Sequence, residues 1–345
     1  MDAGSRVGAG HLVRCLRIAE SARRAGIESC FTVVGDELAA ENARMAGFPV
    51  QRCDPISMYA QLFAVPTIAS RDDVVVLDFI HSGALAEPEA TAALIGAWRT
   101  NCRRVILIDG GASQSMRRQN IALDLDLLIA PYAGECSNGH ALYRELLGPT
   151  YVPLSRSFSG LPRRESAPDA HRILVTCGGS DPKSVTMLIL GALEGVDRPL
   201  QVRVILGPMF GSPLGTRIMD HVLRSRHDII VVDAPQDLAV HMTCSDLALA
   251  TSGLTKYELA ATGTPALLIA NDAAHNSADQ PFIREGSAKS LGILGSISQG
   301  AVATAAEELL SDQSARQNMA DCGQRLVDGL GVERITRELM RYAAA

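Results

Sequence analysis

Gly8-Ala9-Gly10-His11 sets a histidine directly after two glycines spaced one residue apart. Glycines so placed open turn conformations closed to other residues and keep side chains out of the space beside the backbone. Leu12, Val13, Leu16 and Ile18, interleaved with Arg14, Arg17 and Glu20, predict an amphipathic helix, so His11 falls at or just inside its start. The positive end of a helix disfavours the imidazolium and leaves a neutral ring able to take a proton near neutral pH. His11 is therefore read either as a general base or as a residue that merely caps the first turn.

Three further stretches carry chemistry. Arg172–Cys177 predicts a strand running straight into Gly178-Gly179-Ser180-Asp181-Pro182, with Pro182 suited to the first turn of the next helix. A strand, a glycine pair, a hydroxyl and a helix start together form either an anion site, with phosphate or diphosphate as the natural guest, or a plain strand-to-helix turn. Ser252-Gly253-Leu254-Thr255-Lys256-Tyr257-Glu258 follows another predicted strand, Leu247–Thr251. Glu258 there either accepts the hydroxyls of a ribose or is an ordinary acidic residue of a first helical turn. Asn271–Gln280 brings His275, Asn276, Asp279 and Gln280, all able to bond a sugar or phosphate.

The elements that must position these residues alternate. Cys30–Val34, Val50–Cys53, Asp73–Phe79, Arg104–Ile108 and Leu125–Ala130 read as strands of the first half, with helices at Glu37–Ala46 and Glu87–Thr100. Asp73–Phe79 is apolar without alternation, as a strand covered on both faces requires. Ligands of open parallel sheets gather beyond the strands' carboxyl ends, which makes Asp78, His81 and Asp109 either site residues or polar loop residues. Ser155–Ala170 is polar with two prolines and reads as an interdomain connection. Strands at Val202–Leu206, Ile229–Val232 and Pro265–Ala270 follow, with helices at Asp237–Thr243, Gln299–Leu310, Ser314–Val327 and Val332–Tyr342. Met1–Ser5 lacks strand formers, so the strand expected before the first glycine loop is either absent or begins upstream.

The chain has 345 residues, 47% hydrophobic and 20% charged, with a net charge of -6. That fits a large-cored soluble protein of about two domains, and no basic excess marks a nucleic-acid surface. Its 8 cysteines form no CxxC pair, which argues against a zinc site or disulfide framework and fits a reducing cytoplasm. No apolar run approaches the ~18 residues of a membrane span.

Two strand-helix halves with these loops describe an α/β protein of GT-B architecture, two Rossmann-like parallel-sheet domains facing a cleft. The expected division is 1–160, carrying the His11 loop, 170–330, carrying the nucleotide loops, and a terminal helix at 331–345. Asp2–Ala19, Thr176–Lys183 and Ser252–Pro265 closely resemble the family of the UDP-sugar hydrolase of pseudaminic acid biosynthesis and its spore-coat relatives (PseG and SpsG), more distantly the MurG glycosyltransferases. Leu146–Phe158 is similar to that family's segment before the domain crossing, and the resemblance runs to about Leu294.

The resemblance implies metal-independent, cofactor-free hydrolysis of a UDP-linked amino sugar by a cytoplasmic monomer or weak oligomer, with neither nucleic acid nor membrane insertion. His11 would deprotonate the attacking water. Gly178, Gly179 and Ser180 would hold the diphosphate, Glu258 the ribose, and His275, Asn276 and Gln280 the donor. Gly8, Gly10, Arg14, Asp78, Asp109, Ser252, Gly253, Leu254 and Thr255 complete the expected substrate site. The chain departs from the family where Phe79 and Ile80 follow Asp78, at Gly110, and at Ser155, all on the sugar side. A glycosyltransferase with the same donor is the alternative; one working on a lipid acceptor needs an apolar or basic patch, of which the first half offers only Arg23, Arg24, Arg103 and Arg104.

Overall fold

A computed structural model describes residues 2–3, 10–35, 37–53, 72–78, 88–109, 123–135, 137 and 142–344. The chain divides into two units, Met1–Ser155 with Leu330–Ala345, and Arg156–Gly329. The first contains β1 (Asp2–Ala3), α1 (Gly10–Arg24), β2 (Phe31–Gly35), α2 (Glu37–Met45), β3 (Val50–Cys53), β4 (Val74–Asp78), α3 (Pro88–Arg99), β5 (Arg104–Ile108), β6 (Leu127–Ala130) and β7 (Arg144–Leu147). The second contains β8 (Arg172–Thr176), α4 (Val185–Leu193), β9 (Gln201–Leu206), α5 (Ser212–Val222), β10 (Asp228–Asp233), α6 (Leu238–Thr243), β11 (Leu247–Thr251), α7 (Thr255–Thr262), β12 (Ala266–Ala270), α8 (Ala273–Arg284), β13 (Lys289–Ile293), α9 (Gln299–Ser311) and α10 (Gln313–Leu326). The chain then returns to the first unit as α11 (Gly331–Ala344).

All described strand pairings are parallel. The first unit holds two sheets, ordered β1-β2-β3 and β4-β5-β6-β7. Asp2 and Ala3, where no strand was expected, pair with Val34 and Gly35; the ladder is made of backbone groups, so the lack of strand-forming side chains does not prevent it. Along β5 the side chains alternate between two cores. Val105 and Leu107 meet Leu94, Ile95 and Trp98 of α3; Ile106 and Ile108 meet Ile18 of α1 and Ile335 and Leu339 of α11. A strand covered on both faces must be apolar where it is covered, as β5 is from Val105 to Ile108.

The second unit has one six-stranded sheet, β10-β9-β8-β11-β12-β13. Ile173, Val175, Val202 and Val204 pack with α4 and α9 through Ile189, Val302 and Ala306. Successive strands run outward from β8 to β10 on one side and from β11 to β13 on the other. The order thus reverses between β8 and β11, and the crevice at such a reversal, beyond the carboxyl ends, is where open parallel sheets receive ligands.

Most of the polar stretch expected to connect the domains is strapped to α10. Arg163 pairs with Asp321 at 2.7 Å, the Ser166 amide donates to Gln317 at 2.8 Å, and Arg316, 1% exposed, donates to the Ala167 carbonyl at 2.5 Å. Besides β1, three elements escaped the sequence pattern for local reasons. β7 is only 4 residues long, α5 carries Pro213 and Gly215, and β13 contains Gly292 beside a register shift against β12. No helix among the described residues is long and apolar enough to cross a membrane.

Candidate functional site

In the first unit, α1 begins at Gly10 and places His11 and Arg14 three residues apart on one face. Asp78, the last residue of β4, is fully buried and receives both. His11 Nδ1 lies 2.6 Å from Asp78 Oδ1. Arg14 donates from Nε to Oδ2 at 2.5 Å and from Nη2 to Oδ1, while Cys15 Sγ reaches Oδ2 at 3.2 Å. Burial alone favours the neutral carboxyl, but the hydrogen bonds from Arg14 and His11 outweigh it and hold Asp78 well below the usual carboxylate range. Arg14 is likewise penalised by burial, and Asp78 more than compensates, raising it further above its ordinary value.

An ionised carboxylate is acceptor only and a guanidinium donor only. The proton at the 2.6 Å contact therefore sits on His11 Nδ1, so that in the neutral form of the ring the lone pair is on Nε2. Arg14 Nη2 is also 2.9 Å from Nδ1, but with Nδ1 protonated both are donors there, and Nη2 donates to Asp78 Oδ1 instead. The ring is among polar groups, with its side chain 11% exposed. To the helix end that prepares His11, the structure adds a buried anion that fixes its tautomer. Arg14, expected to bind substrate, is 4% exposed with its fork committed to Asp78 and to Tyr132.

Asp109 follows β5 at the same sheet edge, fully buried, its amide donating to the Ile129 carbonyl at 2.9 Å. Tyr132, just past β6, was missed, although it obeys the strand-end rule that singled out Asp78 and Asp109. Its hydroxyl accepts from Arg14 Nη1, and burial pushes the phenol up to about 12. Gly10 opens α1 where a Cβ would meet nothing within 4 Å. Gly8 and His81 lie outside the described residues.

In the second unit, Gly178, Gly179 and Ser180 turn sharply off β8, with Gly178 at φ +77. Gly207, after β9, lies so close that a Cβ there would stand 2.5 Å from the Gly179 Cα and nearer still to the Gly178 carbonyl oxygen. The Met209 amide donates to the Gly179 carbonyl at 2.9 Å. None of the amides of Gly178, Gly179 and Ser180 donates to an acceptor among the described residues. Successive amides of this kind form a concave anion receptor.

The helix start itself departs from expectation. α4 begins at Val185, so Pro182 lies in the preceding turn, and the Asp181 carboxylate accepts from the amides of Val185 and Thr186, each at 2.8 Å. An acidic side chain already fills that end of the helix.

Across the reversal point, Ser252 donates to Asp279 of α8, whose other oxygen accepts from Lys256 Nζ at 2.9 Å. Asp279 is fully buried and Lys256 5% exposed. This pair, which the sequence reading did not join, fixes the Ser252–Thr255 loop against α8. Leu254 caps α7 and Thr255 opens it, Gly253 is exposed at the tip, and Glu258 lies in the first turn at 7% exposure. Asp272 caps α8, accepting from the His275 amide at 2.9 Å and contacting His275 Nδ1 at 2.7 Å. Lys183 donates to the Asn271 carbonyl at 2.7 Å, tying the loop after β8 to the loop after β12. Asn276 is half-buried near the start of α8, and Gln280, a turn further on and exposed, donates back to the Asn276 carbonyl at 3.3 Å.

The searched family models include none that matches this chain. It is 26% identical over 280 residues to an uncharacterized protein of Methanocaldococcus jannaschii, covering 78% of this chain and 54% of that one. It is 25% identical over 192 residues to the spore coat polysaccharide biosynthesis protein SpsG of Bacillus subtilis, covering 55% and 56%. The chain thus spans about half the length of the curated relatives it matches. Among solved structures, MurG of Acinetobacter baumannii matches with a TM-score of 0.73 at 13% identity, over 99% of both chains. MnaA of S. aureus, solved with UDP, matches with a TM-score of 0.62 at 17% identity, over 99% of this chain and 95% of that one. These likenesses establish the fold, GT-B with two Rossmann-like units.

Proposed function

We propose that the protein hydrolyses a UDP-linked amino or deoxy sugar at the anomeric C–O bond, releasing free sugar and UDP, in the making of pseudaminic-acid-like surface sugars. The observation that carries this reading is the buried, ionised Asp78 holding the Nδ1 proton of His11, which makes Nε2 the basic nitrogen. Such an arrangement orients the ring and stabilises the imidazolium once a proton is taken. Water gives its proton to Nε2 as its oxygen bonds the anomeric carbon. The bond to UDP breaks with its electron pair on the departing phosphate oxygen.

The amides of Gly178, Gly179 and Ser180 meet that charge, since donors fixed in advance cost no reorganisation as it develops. Glu258 takes the ribose, and His275, Asn276 and Gln280 serve the donor. Support for a nucleotide-sugar substrate comes from MnaA, solved with UDP, and from SpsG, named for polysaccharide biosynthesis.

The test is UDP release from a panel of UDP-amino sugars without acceptor. His11→Ala should abolish release, and Asp78→Asn should lower kcat by about 10³- to 10⁴-fold through the wrong tautomer. Release only when an acceptor is added would make the protein a glycosyltransferase using the same donor. Tight UDP-sugar binding with no release under either condition would reject both.

A further inference from the structure

His11, Asp78, Arg14 and Tyr132 meet at the edge of the four-stranded sheet, with Cys15 also against Asp78, and the reaction proposed above uses only His11 and Asp78. Arg14 and Tyr132 are joined in sequence behind them. Arg14 spans both oxygens of Asp78 through Nε and Nη2, and its remaining nitrogen, Nη1, donates to the Tyr132 hydroxyl. We propose that Arg14 and Tyr132 are positioning residues, which hold Asp78 ionised and in the plane that keeps the His11 proton on Nδ1. The proposal rests on the reading of His11 as the base, but its physical content can be measured without any substrate.

Asp78 has no solvent contact. A lone buried carboxylate neutralises itself by taking a proton, and a protonated Asp78 would stop drawing the proton of His11 to Nδ1. A cation is needed beside it, and its geometry matters. A bidentate guanidinium sets the carboxylate plane, whereas a point charge would leave it free to rotate. Both oxygens are taken by Arg14, and Oδ1 also points at Nδ1.

The guanidinium is fixed in turn by Tyr132. Burial holds that phenol neutral, with its titration pushed up to about 12. A neutral oxygen accepts from Nη1 without competing with Asp78 for the charge of Arg14. Asp109, also buried, disfavours the phenolate further, as does Cys15. Arg14 is thus held from both ends, by a carboxylate from β4 and a phenol from beyond β6, and carries their placement to α1.

The experiment is histidine-selective ¹⁵N labelling of the full chain, with ring-nitrogen spectra of wild type, Tyr132→Phe and Arg14→Lys, and His11→Gln to assign the signals. Wild type should show His11 as one tautomer, protonated at Nδ1. Tyr132→Phe keeps the ring and should shift His11 toward a mixture, with kcat about 10-fold lower and KM within about twofold, the scale of one hydrogen bond to a charged group. Arg14→Lys keeps the charge without the fork and should do the same more strongly. A wild-type ring protonated at Nε2 overturns the proposal, as does a wild-type tautomer retained in whichever of the two variants folds. A raised KM at unchanged kcat would make Arg14 a substrate ligand and also overturn it. Absence of UDP release alongside the expected tautomers would count against the hydrolase reading alone.

Discussion

Asp78 gives the sharpest prediction for a single residue. Its carboxyl titrates well below its usual range because Arg14 and His11 bind its anion despite burial. A folded-state value below the unfolded one, about 4, means that the contribution to stability is present above that pH and is lost as pH falls below it. The urea midpoint should therefore drop between pH 7 and pH 3, and Asp78→Asn, which has nothing to titrate, should show a smaller drop. Equal drops would contradict the assignment. Individual residues also mark how far sequence reasoning reached. Asp78 was legible because strand ends are where parallel sheets place function. The commitment of Arg14 to it was not, since the two are 64 positions apart and nothing local pairs them.

Loops and helices carry the next predictions. Gly207 is glycine because the turn after β8 passes against it, not because of its own φ angle. Gly207→Ala should push Gly178 and Gly179 aside and weaken UDP binding, read by titration calorimetry, by more than about tenfold, while the central strands remain. Unchanged affinity would remove the glycine turn from the nucleotide site proposed above. Lys256 and Asp279 join α7 to α8 in the interior. Lys256→Met leaves Asp279 buried without its cation and should cost about 3–5 kcal/mol in urea denaturation, whereas Lys256→Met with Asp279→Leu should recover part of that. Pro182 shows why element boundaries misled. A proline after a glycine pair is a sound helix-start signal, but the Asp181 carboxylate caps two later amides and delays the helix to Val185.

At the scale of the molecule, the carboxyl-terminal helix belongs to the unit that the chain left at Ser155. Ile335 and Leu339 are buried with Ile18 and Ile106, Thr336 donates to Ser21 at 2.8 Å, and Arg144 pairs with Glu338 at 3.0 Å. Removing residues 330–345 strips the cover from Ile18 and Ile106, at up to about 1.5–3 kcal/mol for each apolar side chain. The first unit should melt earlier, with the transition of the second unit unmoved, as followed by hydrogen exchange resolved along the chain. Simultaneous loss of protection in both units would contradict this division.

The sequence by itself determined the alternation of strands and helices, the parallel α/β class and the glycine turns at strand ends. Each of these is written in neighbouring residues, as apolar runs, helical periodicity or a backbone only glycine can follow. Only the tertiary structure decided that Arg14 serves Asp78, that Tyr132 closes the same cluster, that Asp279 holds the Ser252 loop, and that the last helix returns to the first unit. Those pairings join residues from 23 to 315 positions apart. Chain folding selects them by burial and charge balance, which no local window of sequence records.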